Sequence, residues 1–168
     1  MEGLGETAGT VVLPPWTARR INEVGLALIK EYEGLRLKAY QCPKGKWTIG
    51  YGHTRTAYPN WEIKEAEAER LLQEDLNAYE RAVSRLVKVP LNDNEFAALV
   101  SFVFNVGVGN FEKSDLLRLL NRGWYEQVPV QLNRWNKCNG HVLGGLARRR
   151  AAEGALWRKR EDEKGDFV

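Results

Sequence analysis

The pattern of apolar positions divides the chain into helical stretches around one segment of different character. Ile21, Val24, Leu28, Ile29 and Tyr32 recur at helical spacing, which predicts a helix over 18–32 with Glu33 at its C-terminal end. KEAEAERLLQEDLNAYERAVSRL predicts a long amphipathic helix over about 64–86, with Leu71, Leu72, Leu76, Tyr79, Val83 and Leu86 along one face. Pro90 ends the approach to the next element. Asn92 and Glu95 then fit a reciprocal N-terminal cap for FAALVSFVFNVG, a helix apolar nearly all round and therefore the expected centre of the core. Gly107 and Gly109 stop it. Ser114 can cap a short helix ending at Gly123, and a further helix runs to about Trp135, where Pro129 predicts a kink or a late start. NKCNGHVLGG reads as a loop and LARRRAAEGALWRKR as the last helix.

Between 36 and 58 the period changes. Pro43, Gly45, Gly50 and Gly52 punctuate short runs rich in aromatic and β-branched residues, the signature of a small antiparallel sheet or hairpin set. So small a sheet must lean on helices. The fold class is α+β: a small β-sheet lobe and a larger helical lobe, joined by the long helix, with a ligand cleft between them.

Length and composition refine this picture. The 168 residues, 43% hydrophobic, suffice for one domain with a sizeable core, expected over 18–168. Residues 1–17 are Gly-rich with a Pro-Pro end and read as a flexible lead-in that packs on the body through Val11, Val12, Leu13 and Trp16. Cys42 and Cys138 are too few for a disulfide framework. No segment reaches the ~18 apolar residues of a membrane span, and the acid-bearing N-terminus is not a secretory signal. Net charge is +3 overall, but residues 134–160 set Arg134, Lys137, Arg148, Arg149, Arg150, Arg158, Lys159 and Arg160 against Glu153 alone. Such a C-terminal element either faces an anionic partner or is a solvated helix face.

Candidate chemistry concentrates in EGLRLKAYQCPKGKWTIGYGH, residues 33–53. Hydrolysis of a glycosidic bond needs an acid to protonate the leaving oxygen. Glu33, against apolar helix residues, is a candidate, because desolvation favours its protonated form. An inverting enzyme also needs a base ~6.5–9.5 Å away, leaving room for water. A short hairpin could present Cys42 and Thr48 there. From spacing alone, a solvated glutamate at a helix end is the simpler reading. No metal-ligand spacing involves the two Cys, His53 or His141, and no cofactor is implied.

The same stretch resembles the active-site signature of the phage-type lysozymes, the endolysins of glycoside hydrolase family 24: Glu, eight residues, Asp or Cys, five residues, Thr. Glu33, Cys42 and Thr48 fit that spacing, and EGLRLKAY, WTIGYGHT, ALVSFVFNVGVGNF and GLARRRAAE are similar to the family's flanks, over about residues 20–160. The resemblance implies a lysozyme-like fold and hydrolysis of the β-1,4 bond between N-acetylmuramic acid and N-acetylglucosamine in peptidoglycan. It implies Glu33 as general acid, Cys42 where many members carry Asp, and Thr48 positioning water or supporting the site. It also implies a structural pair of His53 with Asp75, glycan contacts from Phe104 and Asn105, and one or more of Arg148, Arg149 and Arg150 near Glu33. An arginine there would oppose the effect of desolvation.

Cys42 is the departure that matters. A free thiol, with a pKa near ~8.5, is a poorer permanent anion than Asp. A buried filler is the alternative role. An inhibitory disulfide with Cys138 is disfavoured by a reducing cytoplasm. The expected partner is the peptidoglycan glycan strand, attacked by a monomer made in the host cytoplasm and released through a holin pore, with weak membrane or lipopolysaccharide contact through the basic last helix. Nucleic acid is not an expected partner. The rival function is a non-catalytic peptidoglycan-binding scaffold on the same fold.

Overall fold

The computed structural model describes residues 18–160. The first helix, α1 (Glu23–Glu33), starts five residues later than the apolar spacing predicts, because Asn22 caps it by accepting from the Gly25 N–H at 2.9 Å. The residues before it form an extended strap. Arg19 donates to the Leu91 carbonyl at 2.8 Å and pairs with Asp93 at 2.9 Å. Arg20 reaches buried Glu80 at 3.1 Å and also donates to Asn77. The expected packing of Val11, Val12, Leu13 and Trp16 lies outside the described residues.

Strands β1 (Arg36–Gln41) and β2 (Trp47–Gly50) pair antiparallel, Tyr40 opposite Thr48 and Gln41 opposite Trp47, with an irregularity between Arg36 and Tyr40. The far edge of β1 is covered by residues 61–63: the Ala39 N–H donates to the Trp61 carbonyl and the Ile63 N–H to the Leu37 carbonyl. Helix α2 (Glu65–Leu86) follows and matches its predicted span to within a residue.

Helix α3 (Asp93–Val106) is the centre of the core. Asn92 accepts from the Glu95 N–H at 2.7 Å and Glu95 accepts from the Asn92 N–H at 2.9 Å, the reciprocal cap its sequence announces. Phe96, Ala97, Ala98, Leu99, Val100, Phe102 and Val103 are all buried. Helices α1, α2 and α7 (Gly144–Arg158) pack around it. The approach of α1 requires a glycine, since a Cβ on Gly25 would stand 2.6 Å from the Ala97 Cβ.

Between α3 and α7 lie α4 (Val108–Glu112), α5 (Asp115–Leu120) and α6 (Gln127–Leu132). Gly107, at φ 90°, ends α3, whereas Gly109 sits inside α4 rather than stopping a helix. The Ser114 hydroxyl caps α5 by accepting from the Leu117 N–H. Pro129 falls in the first turn of α6, where its missing N–H costs nothing, so the late start is the outcome and not a kink. The segment expected to be a loop carries a two-residue ladder, β3 (Lys137–Cys138) with β4 (His141–Val142), turned by Asn139 and Gly140 at positive φ. Neither cysteine is in a disulfide: Cys42 is half-buried and Cys138 exposed.

Candidate active site

Glu33 is the last residue of α1, and the chain leaves the helix through Gly34 at φ 70°. A carboxylate at this end meets the negative pole of the helix, so it needs a compensating cation. Arg149 of α7 supplies it: Nη1 donates to Glu33 Oε1 at 2.6 Å. Arg149 is only 3% exposed and branches further, with Nε to Glu153 at 3.3 Å and Nη2 to the Ser101 carbonyl of α3 at 3.3 Å. Arg150, fully buried, pairs with Glu153 at 2.9 Å, stacks over the Phe102 ring at 4.9 Å from its centre and donates to Asn105 at 2.9 Å. The Ser101 hydroxyl completes the set by donating to Glu153 at 2.8 Å. Burial pushes the Glu153 carboxyl up, and the two guanidinium groups and Ser101 act against it.

The three arginines therefore divide. Arg149 faces Glu33, Arg150 fixes Asn105, and Arg148 is exposed, with no part in the cluster. The expectation that Arg148 supports the site is corrected: a helix turns 100° per residue, so three consecutive residues sweep about 200°, and with Arg149 and Arg150 turned inward Arg148 is left facing solvent. Glu153 and Ser101 carry the cluster but were given no role from the sequence. Their signal was present as the Arg149/Glu153 and Arg150/Glu153 spacings of four and three, and as a lone hydroxyl inside an apolar helix.

Glu33 opens onto a cavity of about 430 Å³ lined by Gly52, Thr54, Arg55, Glu74, Asp75, Ala78, Tyr79, Phe104 and Asn105. Two residues expected to contact glycan, Phe104 and Asn105, are thus in its wall. Gly52 is favoured as glycine by its backbone, and it lies against the Glu33 carboxylate. Its φ is +86°, and a Cβ there would lie 3.4 Å from Glu33 Oε2. Tyr79, read in the sequence only as part of an apolar stripe, lies one turn from Asp75 and packs edge-to-face on Phe104, ring centres 5.1 Å apart. Burial, with the Asp75 and Glu33 carboxylates, pushes its phenol up and keeps it neutral.

His53 is buried and its Nδ1 lies 2.7 Å from Asp75. Its Nε2 faces the Thr56 hydroxyl at 2.6 Å and the Thr56 N–H at 3.3 Å. A backbone N–H can only donate, so Nε2 accepts and the proton sits on Nδ1, directed at Asp75. The pair ties the turn after β2 to α2.

Cys42 and Thr48 belong to the hairpin rather than to the cavity lining. The Cys42–Lys46 turn is closed by the Cys42 N–H on the Lys46 carbonyl at 2.9 Å and the Gly45 N–H on the Cys42 carbonyl at 2.8 Å. Burial pushes the Cys42 thiol up, but the backbone of Lys44 and Lys46 and the Thr48 hydroxyl beside the sulfur favour its charged form, and on balance the thiol is held below its ordinary value. Thr48 is itself buried, its hydroxyl 3.3 Å from the Lys46 carbonyl.

A helix-borne glutamate gripped by an arginine, at a cleft between a hairpin and a helical body, invites comparison with known proteins. A family model described as phage lysozyme matches residues 30–153. The chain belongs to the phage lysozyme family. It is 45% identical over 141 residues to an endolysin of Acyrthosiphon pisum secondary endosymbiont phage 1, covering 82% of this chain and 97% of that one. Among solved structures, the muramidase domain of SpmX from Asticaccaulis excentricus aligns with a TM-score of 0.81 at 42% identity, over 84% of this chain and 99% of that one. A P22 lysozyme aligns with a TM-score of 0.76 at 36% identity, over 83% and 98%. The fold is that of these lysozymes, mostly helical with a small sheet, and the protein is a glycoside hydrolase of the lysozyme type.

Proposed function

We propose that this phage lysozyme cleaves the β-1,4 bond between N-acetylmuramic acid and N-acetylglucosamine, with Glu33 as general acid, Cys42 as base and Thr48 as the group that positions water beside it. The observation that carries the reading is Glu33 itself. Arg149 fixes one of its oxygens, the other lies beside Gly52, and Glu33 and Gly52 both line the cavity. In the proposed step the thiolate of Cys42 takes a proton from water. The water oxygen bonds to the anomeric carbon as the glycosidic bond breaks, and the leaving oxygen takes the proton from Glu33. Phe104, Tyr79 and Asn105 offer the glycan an aromatic wall and a polar edge. His53 with Asp75, and Arg150 with Asn105, are support.

Clearing of purified peptidoglycan tests this. The wild type lowers turbidity and Glu33→Gln does not, while both still bind the wall. A single displacement by water inverts the anomeric centre, so the first product formed is the α-anomer. Clearing by Glu33→Gln at the wild-type rate would exclude Glu33 as the acid.

The chain is further proposed to act as a monomer that reaches the wall through a holin pore. Among the described residues no helix is long and apolar enough to cross a membrane. Co-expression with and without a pore-forming protein tests this, with lysis expected only when the pore is present. Contact with an anionic envelope, if made through the last helix, falls to exposed Arg148, Arg158, Lys159 and Arg160, since Arg149 and Arg150 are buried and paired.

A further inference from the structure

The cavity at Glu33 is acidic. Of the described residues lining it, Glu33, Glu74 and Asp75 are carboxylates and Arg55 is the single cation. A muramyl unit is itself acidic: its lactyl ether ends in a carboxyl group that is either free or amide-linked to a stem peptide bearing further carboxylates. Three fixed carboxylates disfavour such a ligand unless a cation answers it. The carboxylates have partners of their own, Arg149 for Glu33, Arg70 for Glu74 and His53 for Asp75. Arg55 is uncommitted by comparison. Its nearest carboxylate oxygen, on Asp75, is 3.9 Å away, too far for a hydrogen bond, and the side chain is 68% exposed.

The backbone beneath Arg55 is fixed. The next residue, Thr56, is bound through its N–H and hydroxyl to buried His53, His53 to Asp75 of α2, and Ile49 and His53 exchange two backbone hydrogen bonds of 2.9 Å. The guanidinium fork is thus carried on an anchored turn at the rim of the cavity. We propose that Arg55 is a specificity-determining residue that receives a carboxylate of the muramyl unit, and that the His53–Asp75 pair holds the turn that aims it. This rests on the reading that glycan occupies the cavity. A guanidinium fork matches a carboxylate in a way an ammonium cannot.

The test measures a ratio. Turnover and binding are compared for three glycans: one stripped of peptide with free lactyl carboxylates, one bearing stem peptides, and a neutral N-acetylglucosamine oligomer. Binding is measured in the Glu33→Gln background, where hydrolysis does not interfere. Arg55→Gln is expected to lower the preference for a carboxylate-bearing glycan over the neutral one roughly fivefold, chiefly through KM, with Arg55→Lys between it and wild type. Arg122→Gln, which removes one exposed charge away from the cavity, should leave the ratio as it is. The carboxylate-bearing glycan whose preference falls identifies the source, lactyl or peptide. An unchanged ratio in Arg55→Gln, or an equal loss on neutral and anionic glycans, overturns the proposal. Preference that depends on Arg55 in a protein that hydrolyses none of the three would retain this inference and reject the catalytic reading instead.

Discussion

The two walls of the cleft hold their polar groups by opposite means. On the helical wall, Glu33, Arg149, Glu153 and Arg150 form an alternating chain of charges, locked by Ser101 and sealed from water except at Glu33. On the hairpin side, outside the cavity lining itself, Cys42 and Thr48 are small groups set beside each other at a tight turn. A buried charge tolerates no vacancy, because desolvation of the remaining partner is not recovered. A half-exposed group held by backbone donors can be exchanged for any side chain of similar reach that carries the same charge. The helical wall therefore fixes geometry, and the hairpin wall is where the chemistry is open to substitution.

The largest effect that bears on this contrast belongs to the hairpin. Cys42→Ala should reduce peptidoglycan turnover on the order of 10³-fold, the middle of the range for loss of a general base, while Cys42→Asp stays within a few-fold of wild type. Equal rates for the two variants would remove the base role and leave Cys42 a filler. On the helical wall the corresponding change is structural. Glu153→Gln leaves two buried guanidinium groups facing a neutral amide and should cost about 3 kcal/mol in denaturant unfolding. A cost below ~1 kcal/mol would show the cluster to be better solvated than its burial indicates.

A finer test concerns the pH profile. Because the thiol is held below its ordinary value, the rise of activity with pH should have its midpoint below that of a free cysteine. Thr48→Val removes the hydroxyl that favours the thiolate, so the rise should move toward higher pH by less than one unit. A profile that does not move would separate Thr48 from the sulfur. Smallest of all is Arg148→Ala, exposed beside two buried neighbours, which should change stability by no more than ~0.5 kcal/mol and turnover by less than twofold.

Much of this was legible in the residues. The capped apolar helix at 92–106, the long helix and the glutamate at the end of α1 follow from local rules of period and capping. The His53–Asp75 pair and the spacing of Glu33, Cys42 and Thr48 came through family resemblance, not from propensity. What stayed hidden was set by tertiary burial. Arg148, Arg149 and Arg150 are one basic run in the sequence, but the fold sends the first to solvent and the other two inward. Arg19 and Arg20 looked like part of a helix and instead strap the chain to α2 and α3. Tyr79 and Arg55 join the cavity only because α2 and the turn after β2 meet there. Such partners are distant in sequence, and no local pattern encodes them.

That distance has a consequence for when the enzyme becomes dangerous to the cell that makes it. Glu33 and the guanidinium that seats it are 116 residues apart, and the same guanidinium ties down α3 and Glu153. As a chain leaves the ribosome its N-terminal part folds first. Helix α1, the hairpin and α2 can all be complete while α7 is still unmade, and until α7 docks the Glu33 carboxylate lacks the guanidinium that seats it. Competence thus waits on the docking of α7.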